Sequence, residues 1–163
     1  MSVEARLAAL ERRIRPLEDE LEIHRLLSRY GPLVDSGSGA DAAALWTTGG
    51  TYEFQAGSDT TRLEAPADLE ALYRGDFHQG LIATGCSHLT VAPVISVDGD
   101  RAEAVGYSYV IVNHGDTWAI QRAAVNHWTL VREASGWRVD RRVNRTLAGS
   151  TESHELLRGA RNG

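Results

Sequence analysis

The stretch Arg101-Ala102-Glu103-Ala104-Val105-Gly106-Tyr107-Ser108-Tyr109-Val110-Ile111-Val112-Asn113 decides the fold, together with the turn His114-Gly115-Asp116 and the run from Thr117 to Glu133 that follows it. Small, β-branched and aromatic residues alternate with polar ones, and a glycine-containing turn separates two long runs, which is the pattern of a hairpin. The alternation begins at His88, and further turn signals stand at Asp98-Gly99 and Ser135-Gly136. Four antiparallel strands in meander order are therefore expected, over 87–97, 101–113, 117–133 and 136–147. Upstream of His88 the period is helical. Helices first and a sheet afterwards predict an α+β fold, with N-terminal helices packed on one face of a curved, mainly antiparallel sheet to make a cone-shaped barrel with a pocket between the layers.

Val3, Leu7, Leu10, Ile14, Leu17 and Leu21 recur at intervals of four and three, the seam of a helix that docks on another element or of a charged arm with one apolar stripe. Pro16 lacks an amide donor, which predicts two helical segments, 3–15 and 17–35. Gly37-Ser38-Gly39 ends the helical signal just beyond Asp35. A short helix over 41–46, a short strand over 51–54 and a helix over 66–73 follow from local pattern. Residues 1–148 are expected to form one domain, and 149–163 a polar tail, mobile or draped on a partner.

The chain has 163 residues and a formal net charge of −5. That charge repels a phosphate backbone, and Arg138, Arg141, Arg142 and Arg145 divide between the two faces of a strand rather than forming a basic patch, so no nucleic-acid partner is expected. The single cysteine, Cys86, forms no internal bridge; the N-terminus lacks the apolar core of a signal peptide, and no apolar run approaches the ~20 residues that span a bilayer. A cytoplasmic protein without a membrane partner is the expectation. Six histidines show no metal-binding spacing, Gly37-Ser38-Gly39 is no dinucleotide fingerprint, and there is no G-x-S-x-G elbow. Neither a metal nor a cofactor is expected.

Tyr30, Asp35 and His88 are the residues that carry chemistry. A carboxylate to orient a base, an imidazole to take a proton from carbon and a phenol to assist a departing hydroxyl form the smallest set for cofactor-free proton transfer. On 117–133, one parity carries Trp118, Arg122, Asn126 and Trp128 and the other Gln121, Val125 and His127, and parity alone leaves open which faces the pocket. Trp118 and Asn126 stand as substrate-binding candidates.

The opening Glu4-Ala5-Arg6-Leu7-Ala8-Ala9-Leu10-Glu11, then Leu26-Leu27-Ser28-Arg29-Tyr30 with Asp35, and the closing Ser135-Gly136-Trp137-Arg138-Val139 are similar to the SnoaL-like branch of the nuclear transport factor 2-like superfamily, and within it to the bile acid 7α-dehydratases and scytalone dehydratases. The resemblance implies that Asp35 pairs with His88, that Tyr30 is catalytic, that Tyr52 is a second pocket tyrosine, and that Asn144 and Arg145 lie near the end of the pocket. It implies a cofactor-independent lyase that eliminates water from an apolar, ring-containing hydroxy-carbonyl compound, with an isomerase, a polyketide cyclase or a non-catalytic small-molecule-binding protein as alternatives. Apolar residues on both parities of the long strands, Val105, Tyr107, Tyr109 and Ile111 against Val110 and Val112, predict burial of both sheet faces and hence a homo-oligomer. The resemblance to the dehydratases implies a trimer before a dimer.

Overall fold

A computed structural model of the chain describes residues 2–56 and 59–162. The first helix, α1 (Val3–Ser28), starts where the Ser2 hydroxyl accepts a hydrogen bond from the Ala5 amide at 3.2 Å. It passes through Pro16 without ending, contrary to the expected interruption. Residues 10–18 are exposed, so water can solvate the carbonyl that the proline leaves without a donor. The break falls instead after Ser28, and α2 (Tyr30–Asp35) and α3 (Gly39–Ala43) follow. Only the last third of α1 is buried: Ile23, Leu26 and Leu27 pack on the sheet. A polar clamp fixes this end, with Asp19 ion-paired to Arg132 at 2.6 Å and Arg132 stacked 4.5 Å over the Trp137 ring.

The strand expected at 51–54 is longer, β1 (Trp46–Ala56), and Trp46 belongs to it rather than to the preceding helix. It pairs with β2 (Asp59–Glu64), which local pattern did not reveal. Two helices, α4 (Ala67–Arg74) and α5 (Asp76–Thr84), lead into β3 (Cys86–Thr90) and β4 (Val94–Asp98). These two replace the single strand expected over 87–97. Pro93 cannot donate to a ladder, and both pieces pair separately with β5 (Arg101–Asn113). Strands β6 (Trp118–Glu133) and β7 (Gly136–Thr146) complete the sheet in the order β2-β1-β7-β6-β5-β3, with β4 beside β5. All pairings are antiparallel except β1 with β7. The sheet is mixed, curved and open rather than a closed barrel.

Residues 149–162 are not a loose tail. Ser150 caps a helix, α6 (Thr151–Arg158), which continues into a 3-10 turn at Gly159–Asn162. Helix α6 packs against β5, β6 and β7 and the 3-10 turn against β5. The alternation rules that found the strands have no purchase on so short and polar a helix. No helix among the described residues is long and apolar enough to cross a membrane.

Candidate active site

The site starts from a glycine. A Cβ at Gly31 would collide with the carbonyl oxygen of His88, so α2 lies against β3 at a distance that only glycine permits there. This brings Asp35, at the end of α2, onto the start of β3. Its Oδ1 is 2.5 Å from His88 Nδ1, its Oδ2 accepts the His88 amide at 2.8 Å, and the Cys86 thiol donates to Oδ1 at 3.4 Å. Burial acts to raise the Asp35 pKa, but the hydrogen bonds from the His88 ring and amide, the charge of the ring and the Cys86 thiol outweigh it and hold the carboxyl below its usual range. An ionised carboxylate only accepts, so the ring nitrogen that faces it, Nδ1, carries a proton, and whenever the ring is neutral Nε2 is the acceptor, with no partner among the described residues. Burial first, and then the hydrogen bond and charge of Asp35, push the Cys86 thiol up to about 11. Asp35, Cys86 and His88 offer three donor atoms within 4.8 Å of one another, a grouping that could hold a metal ion and that sequence spacing did not disclose.

His88 opens into a cavity of about 680 Å³ between the sheet and helices α2, α4 and α5. Tyr30, Tyr52, Tyr73, Phe54, His78 and Phe77 supply much of its wall. His78 donates from Nε2 to the Val34 carbonyl at 2.9 Å, and its ring lies 5.2 Å from that of His88. Arg142 enters from β7, with its guanidinium carbon 4.5 Å from the ring centres of Tyr30 and Tyr52 and 4.2 Å from that of Trp128. Burial pushes the Tyr52 and Tyr73 hydroxyls above the ordinary tyrosine value, so both remain protonated donors. Burial acts to lower the Arg142 pKa, but the surrounding tyrosines act the other way, and the net shift is upward. Behind this wall, Asn126 accepts from Arg142 Nε at 2.9 Å and from Asn144 Nδ2 at 2.8 Å, while Arg122 Nη2 donates to Asn144 Oδ1. A shallower hollow beside α1, lined by His24, Arg25, Arg29 and Leu33 among others, is more open and lacks any such network.

The structure thus gathers Tyr30, Tyr52, His88 and Asn144 at one cavity, with Asp35 behind His88 and Asn126 fully buried beneath the wall. Trp118 is elsewhere: it is 60% exposed and does not line the cavity. The register explains this, since Val110 faces Arg122 but Ile111 faces Ile120, and the extra residue, Gln121, turns Trp118 and Ile120 to the opposite sheet face from Arg122 and Asn126. Arg145 also points away, paired with Glu53 and with Glu152 at 2.8 Å. Asn144 and Arg145 are neighbours on one strand and cannot share a face. That same parity rule links Asn144 to Arg142, which was the signal available for an arginine considered only as part of a basic patch. Gly31, Tyr73, His78 and Arg122 carried no local signal, because their place depends on how the helices pack.

Helices laid on a curved open sheet define the NTF2-like, cystatin-like class of α+β proteins. The chain belongs to the SnoaL-like domain family, whose model matches residues 15–143. An NTF2-like protein with a cystatin-like fold from Novosphingobium aromaticivorans is 38% identical, with 93% of this chain and 96% of that one covered and a TM-score of 0.86. A Mycobacterium tuberculosis protein described as of unknown function shares the fold at 20% identity, with coverage of 90% and 88% and a TM-score of 0.72. ActVI-ORFA from Streptomyces coelicolor does so at 22% identity, with coverage of 78% and 96% and a TM-score of 0.65. Comparison with curated proteins finds no match.

Proposed function

We propose that this chain is a cofactor-independent enzyme of the hydro-lyase type, in which His88 is the base, Asp35 its orienting partner and Tyr30 a donor to the departing oxygen. The carrying observation is the 2.5 Å contact between Asp35 Oδ1 and His88 Nδ1, made by a histidine whose ring borders the cavity. His88 Nε2 removes a proton from the carbon next to a carbonyl; the C–H electron pair forms the new double bond, and the C–O bond to the neighbouring hydroxyl breaks. Proton return from the imidazolium, directly or through Tyr30, converts the departing hydroxide to water, and Asp35 stabilises the cation in between. The aromatic wall suits a ring-containing, largely apolar substrate. The family includes polyketide cyclases and related enzymes, and on a substrate without a leaving group the same base would move a proton between carbons or close a ring. That is the second reading.

A mass-spectrometric screen of hydroxylated steroids and polyketides tests the proposal, the expected product being lighter by one water. His88→Gln is expected to lose ~10²–10⁴-fold in kcat, and Asp35→Asn to be severely impaired because an amide orients the ring but does not stabilise its charge. Near-wild-type turnover in both variants would remove the dyad from the mechanism.

A further inference from the structure

The cavity is cationic in a chain that is not. Its wall includes Arg122 and Arg142 and no aspartate or glutamate, whereas the chain as a whole carries a net charge of −5. Neither arginine forms an ion pair among the described residues; the acids near β7, Glu53 and Glu152, pair with Arg145 on the other side of the sheet. Arg142 is only 2% exposed. A buried guanidinium ordinarily sits against a carboxylate, and here its partners are three aromatic faces, the Tyr30 hydroxyl and one asparagine oxygen.

Hydrogen-bond accounting sharpens this. Arg142 Nη1 and Arg122 Nε are buried N–H donors with no partner. The two asparagines are already engaged: the Asn126 oxygen accepts from Arg142 and Asn144, filling both its lone pairs, and the Asn144 side-chain oxygen accepts from Arg122 Nη2. The Asn126 amide is used as well, donating to Ser108 at 2.8 Å. Both asparagines therefore position the arginines. Two guanidinium groups at one wall, without a carboxylate of the chain between them, suit the two oxygens of a carboxylate brought by a ligand.

We infer that the ligand of this cavity is an anion, a carboxylate carried on an apolar ring system, with its oxygens taken by Arg142 and Arg122. The inference rests on the reading of the cavity as the substrate site, but not on the chemistry assigned to His88. It narrows the substrate to ring-containing acids and makes Arg122 and Arg142 specificity determinants.

Titration of the full chain with three probes of one ring system tests it: 2-naphthoate, the neutral 2-naphthamide and 2-naphthyl phosphate, followed by calorimetry. The expected result is naphthoate bound ~10-fold or more tightly than naphthamide. Arg122→Gln should abolish that preference by weakening naphthoate far more than naphthamide; because this arginine is only partly buried, the variant avoids the folding risk of altering Arg142. His88→Gln should retain the preference: turnover lost with discrimination intact supports both readings, turnover kept with discrimination intact overturns the base assignment alone, and no acid preference in the wild type overturns the anion inference alone. Equal affinity for acid and amide, no binding of naphthoate at millimolar concentration, or a full preference surviving Arg122→Gln would each overturn the inference. A preference for the phosphate over naphthoate would overturn it in favour of a phosphorylated ligand.

Discussion

Asp35 holds three donors at once: the ring and amide of His88 and the thiol of Cys86. The cost of that arrangement falls on the cysteine. With its pKa pushed up to about 11, only about one Cys86 in a thousand is a thiolate at pH 8, so alkylation by iodoacetamide should be slow at neutral pH and accelerate only as the pH approaches that value. Asp35→Asn removes the neighbouring negative charge, which stabilises the thiolate and lowers the pKa. Burial, the first cause of the shift, persists in the variant, so the expected gain is about 10-fold in alkylation rate at pH 8 rather than a return to an exposed thiol. An unchanged rate would mean that Asp35 does not govern the thiol. Residues of this kind were only partly legible. Tyr30, Asp35 and His88 could be singled out from side-chain chemistry and local context, but Cys86 read only as a single cysteine without an internal bridge and His78 only as one of six histidines without metal-binding spacing, because contact across α2, α5 and β3 is not written in any short segment.

At the level of elements, the contact of α2 with β3 decides whether the dyad exists. Gly31→Ala places a methyl group against the His88 carbonyl, where the obstacle is backbone and cannot swing aside. The two elements must separate, and a loss of about 1–3 kcal/mol in urea unfolding is expected, together with a weakened Asp35–His88 pair and reduced turnover. Wild-type stability in this variant would show that α2 has room to move and that the close approach is not required. The β6 bulge acts at the same scale. By inserting Gln121 it sends Trp118 and Ile120 to one face and keeps Arg122 and Asn126 on the other, so the simple even–odd rule that made Trp118 a pocket candidate holds only on one side of position 121. Bulges leave little trace in composition, and neither the bulge nor the split between β3 and β4 was anticipated.

Across the whole molecule, the expectation of two buried sheet faces meets a partial answer within the chain. The ordered C-terminal segment packs on the sheet, and Val105, Val125 and Val143 are buried. Trp118 and Ile120 nevertheless remain 60% and 61% exposed, and the α1 seam stays uncovered, with Leu7 54% and Leu17 66% exposed. Apolar surface so grouped is a contact surface more often than a solvated one. Light scattering at micromolar concentration is expected to give a multiple of the 17.8 kDa chain mass, a trimer before a dimer, and Trp118→Glu with Ile120→Lys should lower it. A strictly monomeric wild-type mass would leave these residues without the partner proposed for them.

What the sequence determined by itself was periodic. Alternation located the long strands, a three-to-four spacing located α1, and glycine turns marked the hairpins, because backbone geometry imposes those periods on any chain that buries one side of an element. Parity on β7 also separated Arg142 and Asn144 from Arg141 and Arg145, although the consequence was visible only once one face had a cavity over it. Tertiary structure decided the rest. The parallel pairing of β1 with β7, the docking of α6, the approach of α2 to β3 and the enclosure of two arginines without a carboxylate all join residues far apart in the chain. Such contacts are chosen by the packing of whole faces, and no local pattern encodes which faces meet.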